Sequence, residues 1–393
     1  MPHDIRRRDF LAATAAAPTI SRATAAKSGN SLVSFRIGTA LWLTDERFQD
    51  LMHYFGRFPG MADELAFFTS ETHPPLPLEL IEQRAERLAK LMPQVRKAGM
   101  RAGINVLATM GHHEENLPNS LAAPWQRVMD IHGRVSRGSF CPAQPELIDY
   151  ARKVYAAMAK ASPDFIWLDD DIRLAGHMPV MLTCFCDRCL ANFSRETGRE
   201  LTRETLPAVF DSGPIEERMR WRARWLEHNR TMIDNLFREI EQAVHALRPG
   251  LPLGFMTGDR FWEGYGFTRW ARTLSGPGRA PVMWRPGGGF YSDERPIDLV
   301  GKAHDVGRQV AALPPEVTVI QSELENFPYQ RLRKAAHTTV VEASAHMAAG
   351  TTGTAFNVLN MRPDPLDEYL PLGARINAAR PFHESLRREL GRS

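Results

Sequence analysis

Three consecutive aspartates, Asp169, Asp170 and Asp171, close the apolar run that starts at Phe165. Like charges this close cannot all stay ionised, so at least one of these carboxyl groups should have a raised pKa. A carboxyl that holds a proton near neutral pH is what a general acid needs. Strand alternation would direct Asp169 and Asp171 to one side and Asp170 to the other. The structural alternatives are a helix N-cap, a salt bridge to Arg173 or a metal site.

A second acidic pair, Glu323 and Glu325, follows another apolar run. Two carboxyl groups from separate strands fit glycoside hydrolysis, in which one is the acid/base and the other the nucleophile. A retaining enzyme holds them about 5–5.5 Å apart, and an inverting enzyme about 6.5–9.5 Å apart. We expect Asp171 to be the acid, with Asp170 beside it, and Glu323 to be the nucleophile. Glu325 competes with Glu323 for that role.

Other polar and aromatic side chains near the predicted strand ends are candidates for sugar binding. Aromatic rings can stack on a sugar, although a single aromatic residue is more often part of the packing. The residues predicted to shape the sugar site are Asp169, Arg173, Asp259, Trp284, Glu325 and Tyr329.

The sequence contains four cysteines, and three of them lie within the segment CFCDRC. They are Cys141, Cys184, Cys186 and Cys189. A tetrahedral zinc site with four cysteine ligands fits this spacing, and disulfides or free thiols are the alternatives. Four thiolates fill the coordination shell, so we expect the zinc to be structural. Catalytic zinc would instead require an open position, or His112 or His113 beside the metal.

The first 25 residues have the three regions of an export signal. Arg6, Arg7 and Arg8 precede a short apolar stretch at 10–20, and Ala23–Ala25 offers a small-residue cleavage site. This order resembles a twin-arginine signal, which predicts a periplasmic or secreted protein whose mature chain starts near Ala26. A disordered basic tail is the alternative. Such export carries proteins folded in a reducing cytoplasm, where zinc can bind before disulfides form.

Composition narrows the class of protein. The chain has 393 residues and a formal net charge of only +3, which does not favour nucleic-acid binding. No stretch approaches the roughly 20 apolar residues of a membrane span. The length suits one large domain or two smaller ones.

Short apolar runs alternate with segments whose apolar residues recur every three or four positions. This alternation predicts a single-domain (β/α)8 TIM barrel over 32–390, and a doubly wound sheet is the alternative. Chemistry in such a barrel sits at the C-terminal ends of the strands. The predicted strands lie within 32–42, 64–70, 101–109, 164–170, 251–257, 280–284, 317–323 and 353–359. The main predicted helices lie within 79–99, 145–163, 225–250, 329–350 and 366–390.

The arrangement resembles glycoside hydrolase family 42, the β-galactosidases with catalytic acids on strands four and seven. Cys141-Pro142, the CFCDRC segment, Glu323 and the stretch HMAAGTTGTAFNVLN carry the resemblance. It implies a carbohydrate substrate and a zinc ion bound by the four cysteines. Asp170 and Asp171 stand where the family has Asn-Glu, and we expect no downstream trimerisation domain.

We therefore predict an exported β-glycosidase with a paired-carboxylate, retaining mechanism. The alternative is a barrel that binds carbohydrate without cleaving it and keeps the structural zinc site. A homo-oligomer is a further open expectation.

Overall fold

The computed structural model describes residues 31–112, 117–258, 266–327, 333–359, 362 and 364–390. Eight parallel strands close a barrel in the order β1-β2-β3-β6-β7-β8-β9-β10, and β10 pairs back with β1. β4 and β5 form a separate antiparallel hairpin. The predicted (β/α)8 fold is thus confirmed. The strands are β1 (Leu32–Ile37), β2 (Glu64–Phe68), β3 (Arg101–Val106), β4 (Arg127–Met129), β5 (Val135–Phe140), β6 (Ile166–Leu168), β7 (Leu253–Thr257), β8 (Val282–Pro286), β9 (Val319–Glu325) and β10 (Gly353–Asn357).

Amphipathic helices surround the barrel. In α4, for example, Leu147, Ala151, Val154 and Met158 recur on one face and are buried, as an apolar stripe facing a core should be. Within the described residues, no helix combines the length and apolarity needed to cross a bilayer. The helices are α1 (Asp45–Gly56), α2 (Leu78–Lys97), α3 (Leu117–Ala122), α4 (Pro145–Lys160), α5 (Asp187–Thr197), α6 (Leu206–Asp211), α7 (Ile215–His245), α8 (Phe267–Ser275), α9 (Asp298–Ala311), α10 (Ala336–Ala348) and α11 (Leu370–Leu390).

Two large aromatic rings fill part of the barrel interior. Phe165 and Trp167 pack with Ala66 and Met283 in one buried cluster. Glycines on the neighbouring strands make room for the rings. A Cβ on Gly103 would lie 2.0 Å from the Phe165 ring, and one on Gly254 would lie 2.4 Å from the Trp167 ring. The interior is therefore a packed core rather than a pore.

Above these rings the interior becomes polar. The Arg285 guanidinium lies 3.9 Å from the centroid of the Trp167 ring, and its Nη1 donates to Asn105 Oδ1 at 2.7 Å. Burial lowers the pKa of Arg285 to about 9, so its side chain still carries a charge at neutral pH. The apolar rings thus form the floor of a charged chamber at the C-terminal end of the barrel.

The loops that follow β3 and β6 are tied to the β4–β5 hairpin. The Phe140 N–H donates to the Met110 carbonyl at 2.8 Å, and the Phe185 N–H donates to the Met129 carbonyl at 2.6 Å. Phe185 also stacks on Trp225 of α7, with 4.7 Å between the ring centroids. These contacts brace the long loop that carries the three aspartates.

Candidate active site

A buried arginine on β1 joins the acidic ends of two distant strands. Arg36 Nη2 lies 3.1 Å from Asp169 Oδ2. Its Nη1 donates to Glu325 Oε1 and lies 3.5 Å from Glu323 Oε1. Because one guanidinium contacts both sides, carboxyl oxygens of Asp169 and Glu323 are less than about 10 Å apart, so the acids that follow β6 and those on β9 are close enough for paired-carboxylate chemistry. The acids at the ends of the fourth and seventh barrel strands, β6 and β9, therefore lie near one another, as expected from the sequence.

Asp169 is buried and serves as a partner of Arg36. Its Oδ2 also accepts a hydrogen bond of 2.5 Å from Asn105 Nδ2. Burial acts to raise the pKa of Asp169, but the charge of Arg36 and other nearby cations lowers it below the ordinary value. The side chain is 1% exposed, so it lies beneath any surface that a sugar could touch. This burial argues against the predicted contact of Asp169 with a sugar.

Asp170 is the most accessible of the three aspartates. Its side chain is 16% exposed, and its Oδ2 accepts a hydrogen bond of 2.9 Å from Arg173 Nη1. Burial raises the pKa of Asp170, Arg173 opposes this, and the charge of Asp169 adds to the rise. Ligand atoms of His73, Asp169 and Asp170 lie within 4.8 Å of one another. Asp170 is therefore the carboxyl that can meet a ligand and also has a pKa above its ordinary value.

Asp171 holds the loop after β3. Its Oδ2 accepts backbone N–H bonds from Thr109 at 2.6 Å, Met110 at 2.6 Å and Gly111 at 2.9 Å. Burial raises the pKa of Asp171 to about 7. That value suits a general acid, but the fully buried carboxyl points into a backbone cradle. This placement contradicts the prediction that Asp171 is the acid. The predicted strand alternation does not apply to the three aspartates, because β6 ends at Leu168.

The two glutamates of β9 point into the barrel at different heights. A Cβ on Gly287 would lie 2.5 Å from Glu323 Oε2. Burial, and then the charge of Glu325, raises the pKa of Glu323 to about 8, so this carboxyl is largely protonated at neutral pH and is a weak nucleophile. Glu325 lies nearer the C-terminal face, and its Oε1 accepts from Arg36 and from Asn357 Nδ2, the latter at 3.0 Å. Glu325 thus has the setting that was predicted for Glu323.

Trp284 does not belong to the site. Its ring is fully buried and packs against Phe255 and Phe267, with centroid distances of 5.3 and 4.8 Å. On β8 the neighbouring Arg285 faces the barrel interior, so alternation turns Trp284 toward the helices. The prediction that Trp284 binds substrate is therefore wrong. Two other predicted residues, Asp259 and Tyr329, lie outside the described residues, as does His113.

Arg173 and His73 lie beside Asp170, and two further histidines, His112 and His177, lie next to them. Arg173 Nη2 also contacts His112 Nε2, and the His112 ring lies 4.8 Å from the His73 ring and 5.7 Å from the His177 ring. Arg173 was predicted to shape the site, and its contact with Asp170 agrees with that. His112 is not part of the cysteine cluster.

Sequence reasoning missed Arg36, Asn105 and Asn357. Each is a buried polar residue in a short strand of mostly apolar residues. The signal was present for Arg36, because a charged residue inside the apolar run LVSFRIG is costly to bury unless a counter-charge meets it. Its partners could not be read from the sequence.

The four cysteines lie together and are all buried. The Sγ atom of Cys141 is 3.4 Å from that of Cys189 and 3.7 Å from that of Cys186, and Cys186 Sγ lies 3.6 Å from Cys189 Sγ. A disulfide needs about 2.05 Å between sulfur atoms. Zinc–sulfur bonds of about 2.3 Å in a tetrahedron put the sulfurs ~3.8 Å apart. The spacing therefore fits a metal site, as the sequence predicted.

No protein-family model matches the sequence, and no curated protein matches it. Solved structures do. A cold-adapted β-galactosidase from Rahnella sp. R3 matches with a TM-score of 0.58 and 13% identity, over 91% of this chain and 57% of that one. A β-galactosidase from Bacillus circulans sp. alkalophilus matches with a TM-score of 0.57 and 14% identity, over 91% and 57% of the two chains.

An exo-β-1,4-mannosidase from an Opitutaceae bacterium matches with a TM-score of 0.51 and 14% identity, over 93% of this chain and 63% of that one. The chain spans less than two thirds of the length of these three structures. At such low identity the likeness shows a shared fold, the TIM barrel found in these glycosidases. The resemblance to the β-galactosidases of glycoside hydrolase family 42 is confirmed to that extent.

Proposed function

We propose that this protein is a retaining glycoside hydrolase that cleaves β-glycosidic bonds, with Asp170 as the acid/base and Glu325 as the nucleophile. The observation that carries the proposal is the contact of Arg36 both with Asp169, which follows β6 and precedes Asp170, and with Glu325 on β9. The similarity to β-galactosidases and to a β-mannosidase supports the β-linked substrate class. The identity of the sugar is left to experiment.

The chemistry follows from the placement of the two carboxyl groups. Asp170 donates its proton to the glycosidic oxygen while Glu325 attacks the anomeric carbon, so the old C–O bond breaks as a bond to Glu325 Oε forms. Asp170, now ionised, then takes a proton from the water that releases the sugar. Arg36 and Asn357 hold Glu325 in place during both steps.

Two exposed aromatic rings near Glu325 offer a surface for a sugar. Phe327, two residues after Glu325, is 51% exposed, and Tyr291 is 38% exposed. Their ring centroids are 6.0 Å apart. Rings of this kind stack on the apolar face of a sugar, and this pair takes the role that the sequence had given to Trp284.

A trapping experiment tests the assignment. Purified protein is screened against aryl β-glycosides, and the 2-deoxy-2-fluoro analogue of the best substrate is then used to accumulate the covalent intermediate. Peptide mass spectrometry should find the sugar on Glu325. Glu323→Gln is the matched control and should still be labelled, whereas Glu325→Gln should not. A sugar found on Glu323, or no hydrolysis of any glycoside, would contradict the assignment.

A second candidate function is carbohydrate binding without cleavage. The observation that favours it is the ion pair between Asp170 and Arg173, since a positive partner opposes the protonated state that an acid needs. Titration calorimetry with oligosaccharides decides between the two. Binding without turnover, unchanged in Glu325→Gln, would favour the binding protein.

We also propose that the four cysteines hold one structural zinc ion. Their burial and their sulfur–sulfur distances support this. The ion would link the end of β5, through Cys141, to the loop after β6 that carries Asp170. Elemental analysis of the purified protein should give about one zinc per chain, and a stoichiometry near zero would contradict the proposal.

Export remains a proposal that rests on the sequence of residues 1–25 alone. Arg7→Lys/Arg8→Lys should retain the protein in the cytoplasm if a twin-arginine route is used. Immunoblots of cell fractions measure this. An unchanged distribution would favour a basic tail without targeting function.

A further inference from the structure

A buried glutamate behind β9 bridges two buried lysines. Glu342 lies on α10, Lys302 lies on α9, and Lys334 precedes α10. Glu342 Oε1 accepts from Lys302 Nζ at 2.9 Å, and Glu342 Oε2 accepts from Lys334 Nζ at 2.7 Å. All three side chains are at most 1% exposed. Charges are rarely buried so fully without a specific reason.

Each lysine makes a second bond, and both bonds go to the backbone of β9. Lys302 Nζ donates to the Glu323 carbonyl at 2.8 Å, and Lys334 Nζ donates to the Glu325 carbonyl at 2.7 Å. The triad therefore binds the main chain at the two residues whose side chains point into the site. No other residue of β9 receives a lysine in the described structure.

The register of the sheet explains why these carbonyls need partners. On one side β9 pairs with β10 up to Glu325, opposite Asn357. On the other side it pairs with β8 only at Met283–Val319 and Trp284–Ile320 within the described residues. The C-terminal half of β9 thus has no ladder partner in β8 on that side, and buried carbonyls without partners are costly. The two ammonium groups supply hydrogen bonds where the β8–β9 ladder has ended.

His346, one turn beyond Glu342 on α10, adds no charge to this group. Burial, together with the charges of Lys302 and Lys334, lowers the pKa of His346 well below its ordinary value. Two ammonium groups and one carboxylate leave a net positive charge beside β9. Within this group, the charge of Lys302 acts to lower the pKa of Glu323, against the larger effects of burial and of Glu325.

We propose that Lys302, Glu342 and Lys334 form a positioning network that sets the height of Glu325 in the barrel. The inference rests on the proposed function, in which Glu325 is the nucleophile. A displacement of about 1 Å from a reactive geometry can reduce the rate about 10²-fold, and the part of β9 that has no ladder partner in β8 is where such a displacement would arise.

Lys334→Met tests the network, because it removes the bond to the Glu325 carbonyl and leaves Glu342 paired with Lys302. Two quantities are measured: kcat and KM on the best aryl glycoside, and amide hydrogen exchange of the peptide 319–327. We expect kcat to fall about 10²-fold with little change in KM, and exchange in that peptide to rise. We expect kcat to change more than KM because the nucleophile acts in the transition state rather than in ground-state binding.

Arg84→Met is the matched control. Arg84 is also a buried cation on a surrounding helix, α2, and it also donates to a backbone carbonyl, that of Thr69 after β2. The Arg84→Met variant should lose a comparable amount of stability but keep the wild-type kcat and the wild-type amide hydrogen exchange in the peptide 319–327. A fall in kcat equal to that of Lys334→Met would show that general destabilisation is the cause and would overturn the proposal.

The triple variant Lys302→Met/Lys334→Met/Glu342→Gln covers the case in which Lys334→Met does not fold, because it leaves no unpaired buried charge. The same changes in kcat and exchange are expected. Unchanged kcat and exchange in a folded variant would refute the network. Raised exchange in a protein whose wild type hydrolyses no glycoside would keep the network and reject the proposed function.

Discussion

Arg36→Met should destabilise the folded protein by about 3–5 kcal/mol at pH 7. Methionine keeps the apolar stem and removes the charge that Asp169 and Glu325 share. Breaking a buried ion pair by removing one partner costs about 3–5 kcal/mol. Arg36 has two carboxylate partners, but we do not expect twice this loss of stability. Asp169 keeps its hydrogen bond from Asn105, and Glu325 keeps its hydrogen bond from Asn357. Glu323, with a pKa of about 8, is already largely neutral.

The difference between variant and wild type should depend on pH. Burial acts to raise the pKa of Asp169, and Arg36 lowers it in the wild type below the ordinary value. That carboxyl therefore stabilises the wild type above the unfolded pKa of about 3.9, and the contribution is lost as the pH falls through the folded pKa. Without Arg36, burial dominates, so the variant carries a penalty at neutral pH that protonation relieves. The difference should shrink as the pH falls from 8 to 5.

Urea unfolding at pH 5, 6, 7 and 8 measures this difference. Lys153→Met is the control, because the Lys153–Asp149 pair lies on the surface, with both side chains 57% exposed, and exposed pairs contribute about 0–1 kcal/mol. A loss below about 1 kcal/mol for Arg36→Met, or a loss equal at all four pH values, would refute the proposed role of Arg36 as the shared counter-charge.

Three other outcomes follow from the site. Because the pKa of Glu323 is raised to about 8, the wild type should lose stability as the pH rises from about 4.3 to that value. Glu323→Gln should therefore unfold at a higher denaturant concentration than the wild type at pH 8 but not at pH 4, and equal midpoints at pH 8 would contradict the shift. Gly287→Ala should lower the melting temperature through a 2.5 Å contact with Glu323 and a 3.0 Å contact with the Thr257 carbonyl, at a cost of about 1–3 kcal/mol. Gly288→Ala should lower the melting temperature less, because the nearest contact of the added Cβ is a Lys302 methylene at 3.3 Å. Equal effects of the two variants would contradict the proposed crowding at Gly287. Cys186→Ser should reduce bound zinc and the melting temperature together, whereas full zinc content would argue against a zinc site built from all four cysteines.

The barrel and the strand ends were predictable from the sequence. Buried parallel strands are continuously apolar and short, and the helices between them repeat every three to four residues, so both signals are local. Six of the eight predicted runs contain an observed barrel strand, and the other two overlap β8 and β9, each of which ends two residues beyond its run. Helix boundaries were less predictable: α7 begins at Ile215 rather than at 225, because its first turns are mostly exposed and show no apolar periodicity.

The choice among neighbouring acids was not predictable. Asp169, Asp170 and Asp171 differ by one position each, yet one is paired with Arg36, one with Arg173 and one with three backbone N–H groups. Trp284 shows the same limit on a strand. An aromatic residue at a strand end can face the interior or the helices, and only the register of the closed barrel decides which.

The sequence by itself determined the elements, the cluster of cysteines and the presence of acids at the ends of two strands, because each of these is written within a few consecutive residues. Tertiary structure alone decided which acids meet. Arg36 lies 133 positions from Asp169 and 289 from Glu325, and the closure of the barrel, with β10 returning to β1, brings them together. The pairing of β9 with β8 stops at Ile320, and Lys302 and Lys334 bind the carbonyls of β9 beyond that point. Contacts of this kind depend on burial and pairing across the whole chain, so no pattern within a short stretch of sequence can predict them.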